Sequence, residues 1–211
     1  MLTPRYQSIL ESRRAELTAR LETIVAPGGG ITLEVGCGHG HFLTAYAGAH
    51  RHKTCIGIDL ATERIDRAER KRSRSGVPTL HFIQAEARFF LETLPERFHL
   101  DEVFVLFPDP WPKLRHNKHR LLQRSFLTRL AERSRVGCPL YFRTDYLPYA
   151  EVAEEELREA PEWELTPDEP WPFEFVTVFQ ERAEAYRSLV ARCRKAPVSP
   201  RLESTNQSNG S

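Results

Sequence analysis

Residues 31–40, ITLEVGCGHG, constrain the chain more tightly than any other stretch. Ile31, Thr32, Leu33, Glu34 and Val35 form a short β-branched run bounded upstream by Pro27-Gly28-Gly29-Gly30, the pattern of a buried strand. Gly36, Gly38 and Gly40 then recur at every second position. Glycine tolerates positive φ and lets backbone approach a ligand closely, so the run ends in a tight turn. A helix follows from about Gly40, with Phe42, Leu43 and Tyr46 on its apolar face. A strand, a glycine turn and a helix in this order open a nucleotide-binding α/β sheet; a plain tight turn is the simpler alternative.

The turn is not the dinucleotide fingerprint, which needs Gly or Ala where His41 stands. The pattern is E-x-G-x-G-x-G, from Glu34 to Gly40. An acid at the end of the first strand suits a cationic ligand better than a pyrophosphate. S-adenosylmethionine, with an ammonium and a sulfonium, fits that requirement, and NAD, with two phosphates, fits it poorly. Asp59 lies 19 residues beyond Gly40, near the spacing at which an acid accepts the two ribose hydroxyls; a surface helix cap is its alternative.

Further apolar runs continue the alternation. Residues 54–59, 79–84, 101–107 and 138–143 read as strands, with helices over 62–75, 87–94, 117–134 and 147–160. Val103 onwards is apolar enough to be buried on both faces. This spacing predicts a doubly wound, mostly parallel sheet. Before it, residues 4–25 show a helical stripe of Ile9, Leu10, Leu17, Leu21 and Ile24. After it, residues 163–165 suggest a strand, while 186–193 fit helix or strand equally by periodicity. The expected organisation is an N-terminal helix and linker over 1–30, one domain over 31–195, and a polar, disordered tail over 196–211.

Each of the first five strands ends at or near an acid: Glu34, Asp59, Glu86, Asp109 and Asp145. In open parallel sheets the ligand lies outside the carboxyl ends of the strands, so these acids converge on one crevice. Like charges so close raise one another's pKa unless a cation or a donor-rich ligand is present. Glu86 serves either an adenine amino group or the cap of the next helix. Asp109 is the sharpest signal: Pro108 and Pro110 stiffen the loop on either side, between Phe107 and Trp111. Such a loop positions one side chain at low entropic cost; a tight turn that merely ends a strand is the alternative. Asp145 is expected as a second acid at the reaction centre, or as the cap of the helix at 147.

Lys113, Arg115, Lys118, Arg120 and Arg124, with His116 and His119, follow Asp109 with no intervening acid. With no compensating acid and Asp109 beside it, this reads as a phosphate-contacting surface, which residues 64–74, with six Lys/Arg against two acids, could extend; a solvated helix face is the alternative. The net charge of +1 conceals an asymmetry. Residues 1–150 carry 23 Lys+Arg against 16 Asp+Glu, whereas 151–184 carry 2 against 12. Cys37, Cys55, Cys138 and Cys193 are scattered through apolar stretches and are expected as buried reduced thiols in a cytoplasmic protein. No metal-ligand constellation, secretory leader or membrane-spanning run is evident.

At these residues the chain resembles the bacterial tRNA (guanine-N7)-methyltransferase family. The resemblance is carried by LEVGCGHGHF, GID, residues 107–127 (FPDPWPKLRHNKHRLLQRSFL), RTDYLPYAE and a late TVFQ at 177–180, in the family's order. It implies a Rossmann-like class I methyltransferase fold, an α/β seven-stranded mostly parallel sheet with helices on both faces, closed by 186–193 as a strand. It also implies S-adenosylmethionine held by Glu34, Gly36, Gly38, Gly40, Asp59, Glu86 and Asp109, with Asp109 the catalytic acid. Lys113, Arg115, Asp145, Thr177 and Gln180 are implied for a tRNA substrate methylated at N7 of a variable-loop guanosine. Two departures stand out: Glu86 replaces the family's Asp, and Gln180 its Glu. Another S-adenosylmethionine-dependent base methyltransferase, or a non-catalytic relative that binds the donor and RNA, are the alternatives.

Overall fold

A computed structural model describes residues 3–26, 28–176, 181 and 183–194. Helix α1 (Pro4–Ile24) starts at Thr3, whose hydroxyl accepts from the Tyr6 amide at 3.4 Å, and proline occupies its first turn. There follow β1 (Gly30–Val35), α2 (His41–Ala49), β2 (Thr54–Asp59), α3 (Thr62–Ser75), β3 (Leu80–Gln84), α4 (Ala87–Thr93) and β4 (His99–Leu106). A 3₁₀ segment (Leu114–His119), α5 (Arg124–Arg133), β5 (Pro139–Thr144), α6 (Leu147–Glu159), β6 (Trp163–Leu165) and β7 (Arg187–Cys193) complete the chain.

The sheet has the order β3-β2-β1-β4-β5-β7-β6. Strands β1 to β5 run parallel, and β7 lies antiparallel between β5 and β6. The direction of winding reverses between β1 and β4, where open α/β sheets place their ligand crevice. The ambiguous segment near the end is thus a strand, held by pairing on both sides. One face packs on α1, α4, α5 and α6 through residues such as Leu21, Phe90, Leu130 and Tyr149. The other packs on α2 and α3 through Phe42, Leu43, Ile65 and Ala68. Opposite β5 and β7 on that second face, Trp171, Phe173 and Phe175 of an irregular segment take the place of a helix. All four cysteines are buried and unpaired.

Two expectations are corrected. The single helix over 117–134 is instead a 3₁₀ turn, an extended link and α5. Arg120 turns inward and the Leu122 amide donates to the Tyr149 hydroxyl at 3.0 Å, which diverts the backbone before Gln123 (φ −131°, ψ 158°) starts α5. In α1 only Leu17 and Leu21 are buried, while Leu10 is half-buried and Ile9 is 43% exposed, so the amino-terminal half of the apolar stripe is only partly covered. The tail expected from 196 lies outside the described residues.

Candidate active site

The carboxyl ends of β1 and β2 and the loops after β3 and β4 surround a crevice of about 400 Å³. Gly36, Asp59, Leu60, Glu86, Asp109 and Trp111 are among its lining. At its base the glycine turn has little amide left to offer an anion. Gly36 and Cys37 both donate to the Ile58 carbonyl, at 2.8 and 2.9 Å, and Gly40 donates to the Cys37 carbonyl at 2.9 Å. Gly38 donates to Asp59 Oδ2 at 3.0 Å. Gly40 sits at φ 68° as it starts α2, and a Cβ there would fall 2.4 Å from Phe82 Cζ. Both its dihedral and its packing therefore demand glycine.

Glu34 lies below this turn, 4% exposed. Burial pushes its carboxyl up to about 8; the Leu43 amide, donating from the first turn of α2, opposes that, and the Asp59 charge adds to it. Its Oε2 is buried without a hydrogen-bond partner among the described residues.

Asp59 is also buried, yet well satisfied. Besides Gly38 it accepts from the Ala61 amide at 2.9 Å and faces Arg64 Nη1 at 3.5 Å. Carboxylates offer about four acceptor positions, so a ribose has to share with or displace Arg64. Glu86 is the N-cap of α4 and accepts from the Phe89 amide at 2.8 Å, while also lining the crevice, so both of its alternatives coexist.

The Asp109 loop is fixed at both ends. Phe107 (φ 49°) and Trp111 (φ 45°) are left-handed, a conformation that costs a non-glycine residue on the order of 1 kcal/mol or more. The Phe107 amide donates to the Arg143 carbonyl at 2.7 Å. The Pro110 carbonyl accepts from Arg120 Nε at 3.0 Å, and the Arg120 guanidinium lies 4.9 Å from the Tyr149 ring. Asp109 itself is exposed at the crevice mouth.

Comparison with known proteins decides between the alternatives. The methyltransferase family Methyltransf_4 matches residues 29–193. The tRNA (guanine-N(7)-)-methyltransferase of Caulobacter vibrioides (strain NA1000 / CB15N) is 31% identical over 159 residues, 73% of this chain and 70% of that protein.

The chain belongs to the tRNA (guanine-N7)-methyltransferase family.

The namesake from Treponema pallidum (strain Nichols) is 34% identical, over 73% of this chain and 62% of its own length. Among solved structures, NSun6 from Pyrococcus horikoshii overlays with a TM-score of 0.59 at 18% identity, covering 85% of this chain and 51% of that one, which supports the Rossmann-like methyltransferase fold.

In this family member, Gly36, Asp59, Glu86 and Asp109 meet in the crevice, Gly38 and Gly40 shape the turn, and Glu34, expected in the same crevice, is instead buried and does not line it. Asp145 is exposed beyond β5, one strand over from the Asp109 loop, and does not line the crevice. Nor does it cap α6: the Tyr146 amide is satisfied by Thr144 Oγ1 at 3.2 Å. Thr177 and Gln180 lie outside the described residues. Lys113, Arg115 and Lys118 are exposed beside Trp111, His116 and His119, whose rings cluster at 5.0 to 6.0 Å. The basic surface is smaller than expected, because Arg120 is buried and Arg124 donates to the Glu159 carbonyl at 2.8 Å and pairs with Glu162.

Sequence reasoning missed the supports of the loop. Arg120 was visible only as one cation in a basic run, and the partners of Arg143 lie far along the chain. Among the described residues no group of His, Cys, Asp and Glu could hold a metal, and no helix is long and apolar enough to cross a membrane.

Proposed function

We propose that this protein transfers a methyl group from S-adenosylmethionine to N7 of a guanosine in tRNA, with residues 31–195 as the catalytic domain. The observation carrying this reading is the Asp109 loop. It is pinned at both ends between an acid-lined crevice and an exposed basic rim, in a member of this family.

The crevice suits the donor. The unpartnered Glu34 Oε2 and the neighbouring Asp59 favour positive charge, the amides of the glycine turn are consumed internally, and about 400 Å³ falls within the usual range for a small ligand. S-adenosylmethionine, when bound, supplies a methyl on a positively charged sulfonium. Glu34 and Asp59 would hold its cationic and ribose groups, Glu86 its adenine end, and Gly36 would allow close approach of the backbone.

Guanine N7 carries an in-plane lone pair and no proton, so this transfer needs no general base. Rate acceleration falls to positioning and electrostatics. Asp109 would accept from the guanine N1–H and N2–H₂ edge and offset positive charge developing on the ring. Asp145, one strand away, would support the base from the other side. Lys113, Arg115 and Lys118 would hold RNA phosphates.

Incubating the protein with labelled S-adenosylmethionine and unmodified tRNA, followed by nucleoside analysis, should yield 7-methylguanosine. Asp109→Ala should reduce turnover by about 10³-fold or more while donor binding persists. Turnover near wild type in that variant removes Asp109 from the centre.

A further inference from the structure

Arg143, the penultimate residue of β5, is 4% exposed and occupies a position that neither the acid pattern nor the basic run explains. Its guanidinium lies 3.9 Å from the centre of the Trp171 ring and 4.7 Å from that of Tyr186. Nε donates to Ser188 Oγ at 2.9 Å, and Glu174 faces both terminal nitrogens at 3.4 to 3.5 Å. Through its backbone the same residue accepts the amide that opens the Asp109 loop, and the Tyr186 ring stands 6.3 Å from Phe107. Trp171, Arg143, Tyr186 and Phe107, the last meeting Tyr186 edge-on at 75°, thus form one run of contacts across the rim where β4, β5 and β7 end or begin.

We propose that Arg143 is a positioning residue for methyl transfer. It clasps the 171–176 segment and the start of β7 against the Asp109 loop, fixing the separation of the two walls between which the base is held. A buried arginine is a poor means of stabilising a fold relative to an apolar side chain of like volume, so its geometric specificity is the better account of its presence. The segment it holds has a second anchor, Phe173 and Phe175 packed against Phe42, which leaves Arg143 to set the end nearest the rim. The guanidinium suits this site: lysine keeps the charge but offers no broad planar cation to the Trp171 and Tyr186 rings and no forked donors to Ser188 and Glu174.

This inference rests on the tRNA-methylation reading above, and the test separates the two. With unmodified tRNA and saturating donor, Arg143→Lys and Trp171→Leu should each lower kcat by about 10- to 100-fold, as misplacement of roughly 1 Å does. The donor dissociation constant should change far less than kcat, because only the loop after β4 joins the donor crevice to this clasp, while β1, β2 and the loop after β3 supply the rest of its lining. The double variant should be no more than about threefold worse than the poorer single variant, since the two residues act as one unit. Trp171→Phe, which keeps a ring over the guanidinium, should recover most of the activity lost in Trp171→Leu.

Turnover by Arg143→Lys within twofold of wild type overturns the inference. So does a parallel fall of donor affinity and kcat in Trp171→Leu, which would mark a general structural role. If Arg143→Lys does not fold, the Trp171 pair alone decides. A wild-type protein that methylates no tRNA overturns the functional reading itself.

Discussion

Glu34 makes the ligand-free protein sensitive to pH in a direction that can be worked out. Its carboxyl titrates at 4.5 when exposed in the unfolded chain and at about 8 in the fold. A folded carboxyl with a raised pKa binds more protons than its unfolded counterpart, so its stability contribution is fully present below pH 4.5. That contribution is lost progressively as pH climbs through 8. At 1.36 kcal/mol for each decade, the difference between pH 5 and pH 8 is about 3 to 4 kcal/mol. Glu34→Gln keeps the shape and an acceptor for the Leu43 amide but cannot ionise. Urea unfolding of the ligand-free pair should find them similar at pH 5 and the variant more stable by about 3 to 4 kcal/mol at pH 8; other titrations cancel in the comparison. In thermal unfolding the same gap is about 10 °C for a domain of this size. A cationic donor reverses the preference, because it needs the carboxylate. Donor affinity of the wild type should rise about tenfold per pH unit from 6 towards 8 with uptake of a proton by the buffer, and the variant should lose both the slope and the affinity. Parallel stability curves for the two proteins, or a flat donor affinity between pH 6 and 8, would refute this account of Glu34.

Gly40→Ala places a Cβ against Phe82 at a left-handed φ, and urea unfolding should show a loss of about 2 to 4 kcal/mol, part of it recovered by Phe82→Leu in the same chain. Replacing Lys113, Arg115 and Lys118 together with alanine should reduce the slope of log tRNA affinity against log salt by about 2 to 3, with donor affinity unchanged in calorimetry. Arg120→Ala should cost about 2 to 5 kcal/mol and slow turnover in the fraction that folds, because it frees the Pro110 end of the loop; a triple-alanine-like salt effect from Arg120→Ala would place it on the surface instead.

The parallel strands were legible because each is a short apolar run punctuated by glycine, proline or an acid. Residues 54–59 were read as β2 with the observed bounds, and β1 differs only by Gly30. The acids at the strand ends were legible for the same reason, since an acid ends an apolar run visibly. What could not be read is whatever depends on distant partners. The helix expected over 117–134 fails because Tyr149, some thirty residues on, captures Arg120 and the Leu122 amide. Arg143 looks like an ordinary cation at a strand end until Trp171 and Tyr186 close over it. The missing partner of Glu34 Oε2 is a property of the packed interior, invisible to periodicity.

The placement of β7 between β5 and β6 governs how such a chain is made. During synthesis the strands from β1 to β5 can pair as they emerge, but β6 has no strand to join until residues 187–193, far downstream, have left the ribosome. Until then β5 presents a bare edge of unpaired amides and carbonyls, the surface on which nascent chains stick to one another. A product cut short before Arg187 would retain the five parallel strands, including those at the acid crevice, and lack β7 and with it any partner for β6. Such a fragment, with its sheet edge open, is a natural client for chaperones and proteases.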